Sequence, residues 1–93
     1  MIGHQRARGS SDVRITFSLP VDDPPGPVSV VGDFNGWTPG RHVLVRRANG
    51  RRSVSVTVAP GAALHFRYLG EHGVWFDDPD AETVDEVGGL VRA

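Results

Sequence analysis

The sequence contains no cysteine, and this absence removes several kinds of chemistry at once. Disulfides, cysteine-based zinc sites and thiol nucleophiles are excluded. No apolar run approaches the length of a membrane span and no apolar signal region opens the chain, so we expect a cytoplasmic protein without a membrane partner. Lysine is also absent. The 10 basic residues are arginines and face 11 acidic residues, a balance that provides no general attraction to nucleic acid.

The chain has 93 residues, which is enough for one domain. Residues 1–11 are polar and aperiodic, and we predict a flexible tail there. From residue 12 the pattern changes, because every second residue of "DVRITFSL" (12–19) is apolar, which is typical of a half-buried strand. We therefore predict that residues 12–93 form the folded domain.

Further short strands are predicted by the same kind of pattern, and no stretch shows a helical period. The proline-rich "PVDDPPGP" (20–27) ends the first strand, and Asn49-Gly50 predicts a hairpin turn. About seven short strands in a chain of this length predict an all-β fold, an immunoglobulin-like β-sandwich of antiparallel strands. The later strands are predicted at 28–32, 42–47, 53–58, 63–69, 74–78 and 87–92.

If the protein is an enzyme, the strongest candidates for catalytic residues are three carboxylates, those of Asp77, Asp78 and Asp80. Paired carboxylates can supply general acid–base chemistry or glycoside hydrolysis. However, adjacent residues of a strand point to opposite faces, so Asp77 and Asp78 cannot easily flank one bond. Asp-Asp-Pro-Asp is also a favourable turn sequence. We therefore predict no catalytic residue.

A metal site is disfavoured by the spacing of its candidate ligands. No two histidines have the short paired spacing of a zinc site. Residues 33–36, "DFNG", resemble only the start of a calcium loop, without the further acids and the closing Glu. We expect neither a metal ion nor a cofactor. The histidines are His4, His42, His65 and His72.

Two tryptophans lie outside the regular apolar faces of the predicted strands. Trp37 lies in a loop of turn-forming residues, and Trp75 opens a short strand after a polar turn. Such rings can form a flat, partly exposed surface that stacks on sugars or nucleobases. Arg67 lies on the face of its strand opposite Phe66 and Tyr68, so it can point outward and donate hydrogen bonds. From residue types alone, Trp37 could equally be a plug that folds back over one end of the sandwich.

Three stretches, in this order, resemble a known family: "VSVVGDFNGWTP", "APGAALHFRYL" and "GVWFDDPDAE". They are similar to carbohydrate-binding module family 48, the starch- and glycogen-binding module at the front of isoamylases and branching enzymes and in the AMP-activated kinase β subunit. The resemblance covers about Val13 to Val91 and implies a β-sandwich that does no catalysis. It also implies a glucan site of two tryptophans and one basic residue, which match Trp37, Trp75 and Arg67.

The resemblance implies a ligand, an α-1,4-linked glucan whose rings stack on the tryptophans while the arginine donates to hydroxyls. Asn35 is a further candidate, although Asn also shapes turns. In the last loop, the Leu, Thr and Asn of the family correspond to Val87, Gly89 and Val91. Val87 and Gly89 are therefore candidate contacts, and the sugar-binding Asn is missing. Two functions remain open: glucan binding, or docking onto a protein partner with weak or lost glucan binding, as an accessory to a glycogen-metabolising enzyme.

Overall fold

The computed structural model describes residues 1–6, 9 and 11–93. Within these residues the regular structure is nine β-strands and two short 3-10 turns, Asp33–Asn35 and Glu71–Gly73. The all-β prediction is confirmed. The strands are β1 (Ile2–Arg6), β2 (Val13–Pro20), β3 (Ser29–Gly32), β4 (Val45–Arg46), β5 (Arg51–Val58), β6 (Ala63–Leu69), β7 (Trp75–Phe76), β8 (Thr83–Val84) and β9 (Gly89–Arg92).

The described strands form two antiparallel sheets around one apolar core, as expected for a β-sandwich. The first sheet has the order β1-β2-β5-β4. The second has the order β3-β6-β9-β8, and β7 also pairs with β6. Across the core, the ring of Phe17 on β2 lies 4.7 Å from that of Phe66 and 6.5 Å from that of Tyr68, both on β6. The apolar residues at every second position, which predict these strands, are therefore the residues that fill the core.

Strand β6 has the bounds that the sequence predicts and is paired on both edges. One edge pairs with β3, and the other is shared by β9 and then by β7. Leu64, Phe66 and Tyr68 are buried in the core. Because side chains alternate along a strand, His65 and Arg67 lie on the outer face of this sheet. That face carries the candidate site.

The flexible-tail prediction is wrong for Ile2–Arg6. This segment is β1, antiparallel to β2, with Ile2 opposite Phe17. Backbone hydrogen bonds to an open strand edge can hold polar residues without an apolar pattern, and Ile2 packs against the core. Residues 7, 8 and 10 of the predicted tail lie outside the described residues.

Other strand boundaries also differ from the prediction. The strand predicted at 42–47 is reduced to β4 and a single bridge between Val43 and Ser29. A segment predicted as loop contains β8, which pairs with β9. The hairpin turn predicted at Asn49-Gly50 does connect β4 to β5, and Gly50 has a φ of 76°. These short strands depend on pairing with neighbours that a local pattern does not reveal.

A buried arginine of β5 holds the proline-rich loop that follows β2. Arg52 donates from Nη1 to the carbonyl of Gly26 at 2.6 Å and from Nη2 to the carbonyl of Pro24 at 2.7 Å. These two charge-assisted hydrogen bonds replace part of the hydration that the guanidinium loses on burial, while its Nε has no hydrogen-bond partner among the described residues. The loop forms one wall of an apolar cleft of about 760 Å³, which the 3-10 turn before β7 also borders.

Candidate functional site

Arg67 and Trp75 lie side by side on the outer face of the second sheet. Trp75 pairs with Leu69, so its side chain is on the same face as the outward residues of β6. Its side chain is 42% exposed. The Cζ atom of Arg67 lies 5.9 Å from the centroid of the Trp75 ring, within the range of a cation–π contact. Arg67 points outward, as its alternation predicts.

Asp77 holds the Arg67 guanidinium in place. The Nε of Arg67 donates to Asp77 Oδ1 at 3.1 Å, and both side chains are about one-third exposed. A partly exposed pair of this kind contributes at most about 1 kcal/mol to stability, so its main effect is orientation. The two Nη groups have no hydrogen-bond partner among the described residues. They can therefore donate to a ligand on this face.

Gly88 provides the space in which the stem of Arg67 lies. A Cβ atom built on Gly88 would be 2.6 Å from Cγ of Arg67 and 2.7 Å from the carbonyl oxygen of Phe66. The φ of Gly88 is 140°, which also favours glycine. Any side chain here would displace Arg67 from its position beside Trp75.

Trp37 lies in the loop after β3, as predicted, and its backbone is unusual. Its φ is 57°, a left-handed conformation that costs about 1–3 kcal/mol for a residue other than glycine. Its N–H donates to the carbonyl of Gly32 at 2.8 Å, which fixes the loop against the end of β3. The side chain is 38% exposed. A strained backbone that presents a partly exposed ring is more typical of a functional position than of a core plug.

Asn35 lies inside this loop and not on the exposed surface. Its Oδ1 accepts from the N–H of Gly32 at 3.1 Å, and its Nδ2 donates to the carbonyl of Val30 at 3.1 Å. Nδ2 also lies 3.0 Å from Nδ1 of His42, across the loop. With 6% exposure, Asn35 shapes the loop that carries Trp37, and the structure does not bring it to the outer face as a direct contact.

The candidates in the last loop are separated by the strand alternation of β9. Val87 is exposed in the turn before β9. Gly89 faces inward, since a Cβ there would lie 2.9 Å from that of Ala81, and Val91 is buried opposite Leu64. Gly89 is therefore not brought to the outer face, and Gly88 is the residue of this loop that lies beside Arg67.

Asp78 points away from this face into the core. Its Oδ2 accepts from the hydroxyl of Tyr68 at 2.6 Å and from the Met1 amino group at 2.8 Å, and its Oδ1 accepts from the N–H of Asp80 at 2.8 Å. Burial raises the pKa of the Asp78 carboxyl, but these hydrogen bonds outweigh burial and lower it. The carboxylates of Asp77 and Asp78 thus diverge, as the sequence predicts.

The sequence pattern does not reveal the contact of Asp77 with Arg67, because it suggests only a catalytic acid there. His65 is also a neighbour of this face, with ring nitrogens 4.0 Å from Asp33 and 3.7 Å from Asp85. The signal for His65 was present, because it shares the outward alternation of Arg67. Among the described residues, no group of three or more His, Cys, Asp or Glu side chains is arranged to hold a metal ion. In the same part of the chain, no helix is long and apolar enough to span a membrane.

Comparison with known proteins gives partial similarity to enzymes of α-glucan metabolism. No family model matches the chain. It is 48% identical over 50 residues to the 1,4-alpha-glucan branching enzyme GlgB of Rhodopseudomonas palustris, covering 50% of this chain and 7% of that enzyme. It is 37% identical over 67 residues to the 1,4-alpha-glucan branching enzyme GlgB of Cupriavidus pinatubonensis, covering 71% of this chain and 8% of that enzyme.

The chain therefore spans less than a tenth of the length of the curated relatives it matches. The similarity is to a short segment of each enzyme and not to the whole protein. Together with the two-sheet fold, it is consistent with a module of carbohydrate-binding family 48.

Proposed function

We propose that this chain is a non-catalytic module that binds α-1,4-linked glucan such as glycogen, starch or maltooligosaccharide. The observation that carries the proposal is the guanidinium of Arg67 beside the exposed ring of Trp75 on one open face. A sugar presents an apolar C–H face and a rim of hydroxyls, so a ring and an adjacent donor match both parts of it. The partial similarity to two 1,4-alpha-glucan branching enzymes supports α-glucan as the ligand class.

Trp37 supplies the second ring of the proposed site. Its backbone is hydrogen-bonded to Gly32 at the end of β3, which pairs with one edge of β6, while Trp75 pairs with the other edge, and this supports a site that spans β6. By analogy with base stacking, each ring contributes about 1–3 kcal/mol to binding. Affinity is then in the range of about micromolar to millimolar.

The positions of the carboxylates also favour a binding role over a catalytic one. Asp77 pairs with Arg67 on the outer face, and Asp78 is buried against Tyr68. Glycoside hydrolysis needs two carboxylates that flank one bond, and these two point to opposite sides of the sheet. We therefore assign neither residue to chemistry.

Titration with maltoheptaose, followed by tryptophan fluorescence and calorimetry, tests this function, with cellohexaose as the β-linked control. Trp37→Ala and Trp75→Ala should each weaken binding by about 5- to 150-fold. Val74→Ala is a matched control, because Val74 is also exposed, at 57% against 42% for Trp75, but lines the apolar cleft. Absence of wild-type binding at millimolar maltoheptaose would overturn the function. Equal binding by both tryptophan variants would overturn the site.

The apolar cleft favours a second candidate, docking onto a protein such as a glycogen-metabolising enzyme. The cleft is lined by apolar residues such as Leu19, Pro24, Val74 and Phe76, and an exposed apolar surface of this kind is typical of a protein-interaction site. This function predicts that Val74→Asp abolishes binding to a glycogen branching enzyme and that maltoheptaose leaves the tryptophan fluorescence unchanged. A fluorescence response to maltoheptaose that persists in Val74→Asp favours the glucan site.

A further inference from the structure

Two outward positions of β6 carry the same combination of groups. Arg67 has the carboxylate of Asp77 beside it, and His65 has the carboxylates of Asp33 and Asp85 beside it. Residues two apart on a strand are separated by about 6.5 Å on the same face. The outer face of β6 therefore presents two successive clusters of a nitrogen group and carboxylate acceptors, and Trp75 lies next to the first.

The two carboxylates lie close to the ring of His65 but are not within hydrogen-bond distance of its nitrogens. His65 Nε2 lies 3.7 Å from Asp85 Oδ2, and Nδ1 lies 4.0 Å from Asp33 Oδ2, both too long for a direct hydrogen bond. The side chain of His65 is 33% exposed. A hydroxyl is both donor and acceptor, so one that approaches from the solvent side can contact the imidazole and a neighbouring carboxylate at the same time.

The two carboxylates are fixed by backbone hydrogen bonds. Asp33 Oδ2 accepts from the N–H of His65 at 3.2 Å. Asp85 Oδ1 accepts from the N–H groups of Val87 at 2.9 Å and Gly88 at 3.1 Å, which lower the pKa of the Asp85 carboxyl. Both acceptors are thus held in position before a ligand arrives, which reduces the entropy lost on binding.

We propose that His65, with Asp33 and Asp85, forms a second hydroxyl-binding subsite, and that a glucan chain runs along β6 from Trp75 past Arg67 to His65. The inference rests on the proposed glucan-binding function and adds the direction in which the bound glucan chain runs and the length of chain that the site accommodates. A disaccharide bound at Trp75 and Arg67 does not reach His65. A chain of several glucose units reaches His65, so this subsite selects for chain length.

The test compares maltose and maltoheptaose binding to wild type and His65→Ala by calorimetry. We expect His65→Ala to weaken maltoheptaose binding by about 3- to 10-fold, the loss of one or two hydrogen bonds, and to leave maltose binding unchanged. His65→Gln, which keeps a donor and an acceptor, should lie closer to wild type. His72→Asn, in a turn that borders the cleft, is the control and should bind both ligands as wild type does.

The outcomes separate the subsite from the function. Equal losses for both ligands, or no loss for either, overturn the second subsite while the glucan-binding function stands. Failure of wild type to bind either ligand overturns both. Unchanged melting temperatures for His65→Ala and His65→Gln assign the difference between the ligands to the subsite and not to folding.

Discussion

The hydroxyl of Tyr68 lies 2.6 Å from the carboxylate of Asp78 and joins the C-terminal end of β6 to the segment after β7 inside the core. Burial and the bond to Asp78 raise the pKa of the Tyr68 hydroxyl, so it stays neutral and donates. For Asp78 the balance is reversed: burial raises the pKa, but hydrogen bonds from the Met1 amino group, Tyr68 and Asp80 outweigh it, so the carboxyl stays ionised. This network makes stability depend on pH.

We expect Asp78 to stabilise the fold near neutral pH and to lose that effect in acid. The folded pKa of Asp78 is below its unfolded value of 3.8, so the stabilisation is fully present above about pH 4 and is lost as pH falls through the folded pKa. Asp78→Asn should therefore be less stable than wild type at neutral pH, by about 1–3 kcal/mol. Urea unfolding of both proteins between about pH 7 and pH 2 measures the difference. A difference that stays constant across this range contradicts the prediction.

Asp77→Ala should weaken glucan binding with little effect on stability. The variant removes the acceptor that orients Arg67 but breaks only a partly exposed ion pair, worth at most about 1 kcal/mol. We expect maltoheptaose affinity to fall by about 3- to 10-fold and the melting temperature to change by less than about 8 °C. Asp77→Asn keeps an oxygen acceptor and should retain most of the affinity. Equal losses in the two variants would argue against an orienting role for this carboxylate.

The protein should be more stable with glycine at position 37 than with alanine there. The left-handed backbone there is easy for glycine and strained for alanine, so Trp37→Gly should exceed Trp37→Ala in stability by about 1 kcal/mol. Both variants lack the ring, so both should lose the same share of glucan affinity. Chemical denaturation of the pair measures the difference, and each variant is the control for the other. A more stable alanine variant would contradict the left-handed conformation at this residue.

Asn35→Ala should disorder the loop that presents Trp37. The substitution leaves the N–H of Gly32 and the carbonyl of Val30 without their partners, at a cost of about 1–3 kcal/mol for each buried group. The emission of Trp37 should shift to longer wavelength as the ring becomes more exposed. A Trp75→Phe background leaves Trp37 as the single tryptophan.

Asn35→Asp separates the two contacts, because it keeps the acceptor for Gly32 and loses the donor to Val30. At neutral pH it sets a buried carboxylate oxygen against the carbonyl oxygen of Val30, so it should be no more stable than Asn35→Ala. Unchanged emission in Asn35→Ala would show that the loop does not depend on this side chain.

The sequence predicts β6 and its outward arginine because alternation is a local property that a buried strand must satisfy. The partner of Arg67 could not be predicted in the same way. Asp77 reaches it only through the register of β7 against β6, which the intervening turn sets in three dimensions.

The last loop shows how sensitive a face assignment is to register. Gly88 and Gly89 are adjacent, yet one lies beside Arg67 and the other faces the core. A one-residue error in alignment therefore moves a candidate contact from the outer face to the interior. Strand β1 was not predicted for another reason. It is held by backbone pairing with β2, which does not require an alternating apolar pattern.

The alternation of β6 has a practical consequence for protein engineering. Residues 64, 66 and 68 are buried in the core, whereas residues 65 and 67 are partly exposed on the outer face. A combinatorial library confined to those two outward positions and to Asp77 and Asp85 would vary recognition without repacking the hydrophobic centre. The scaffold is thus a starting point for designed receptors, in which the recognition surface is varied while the fold is kept.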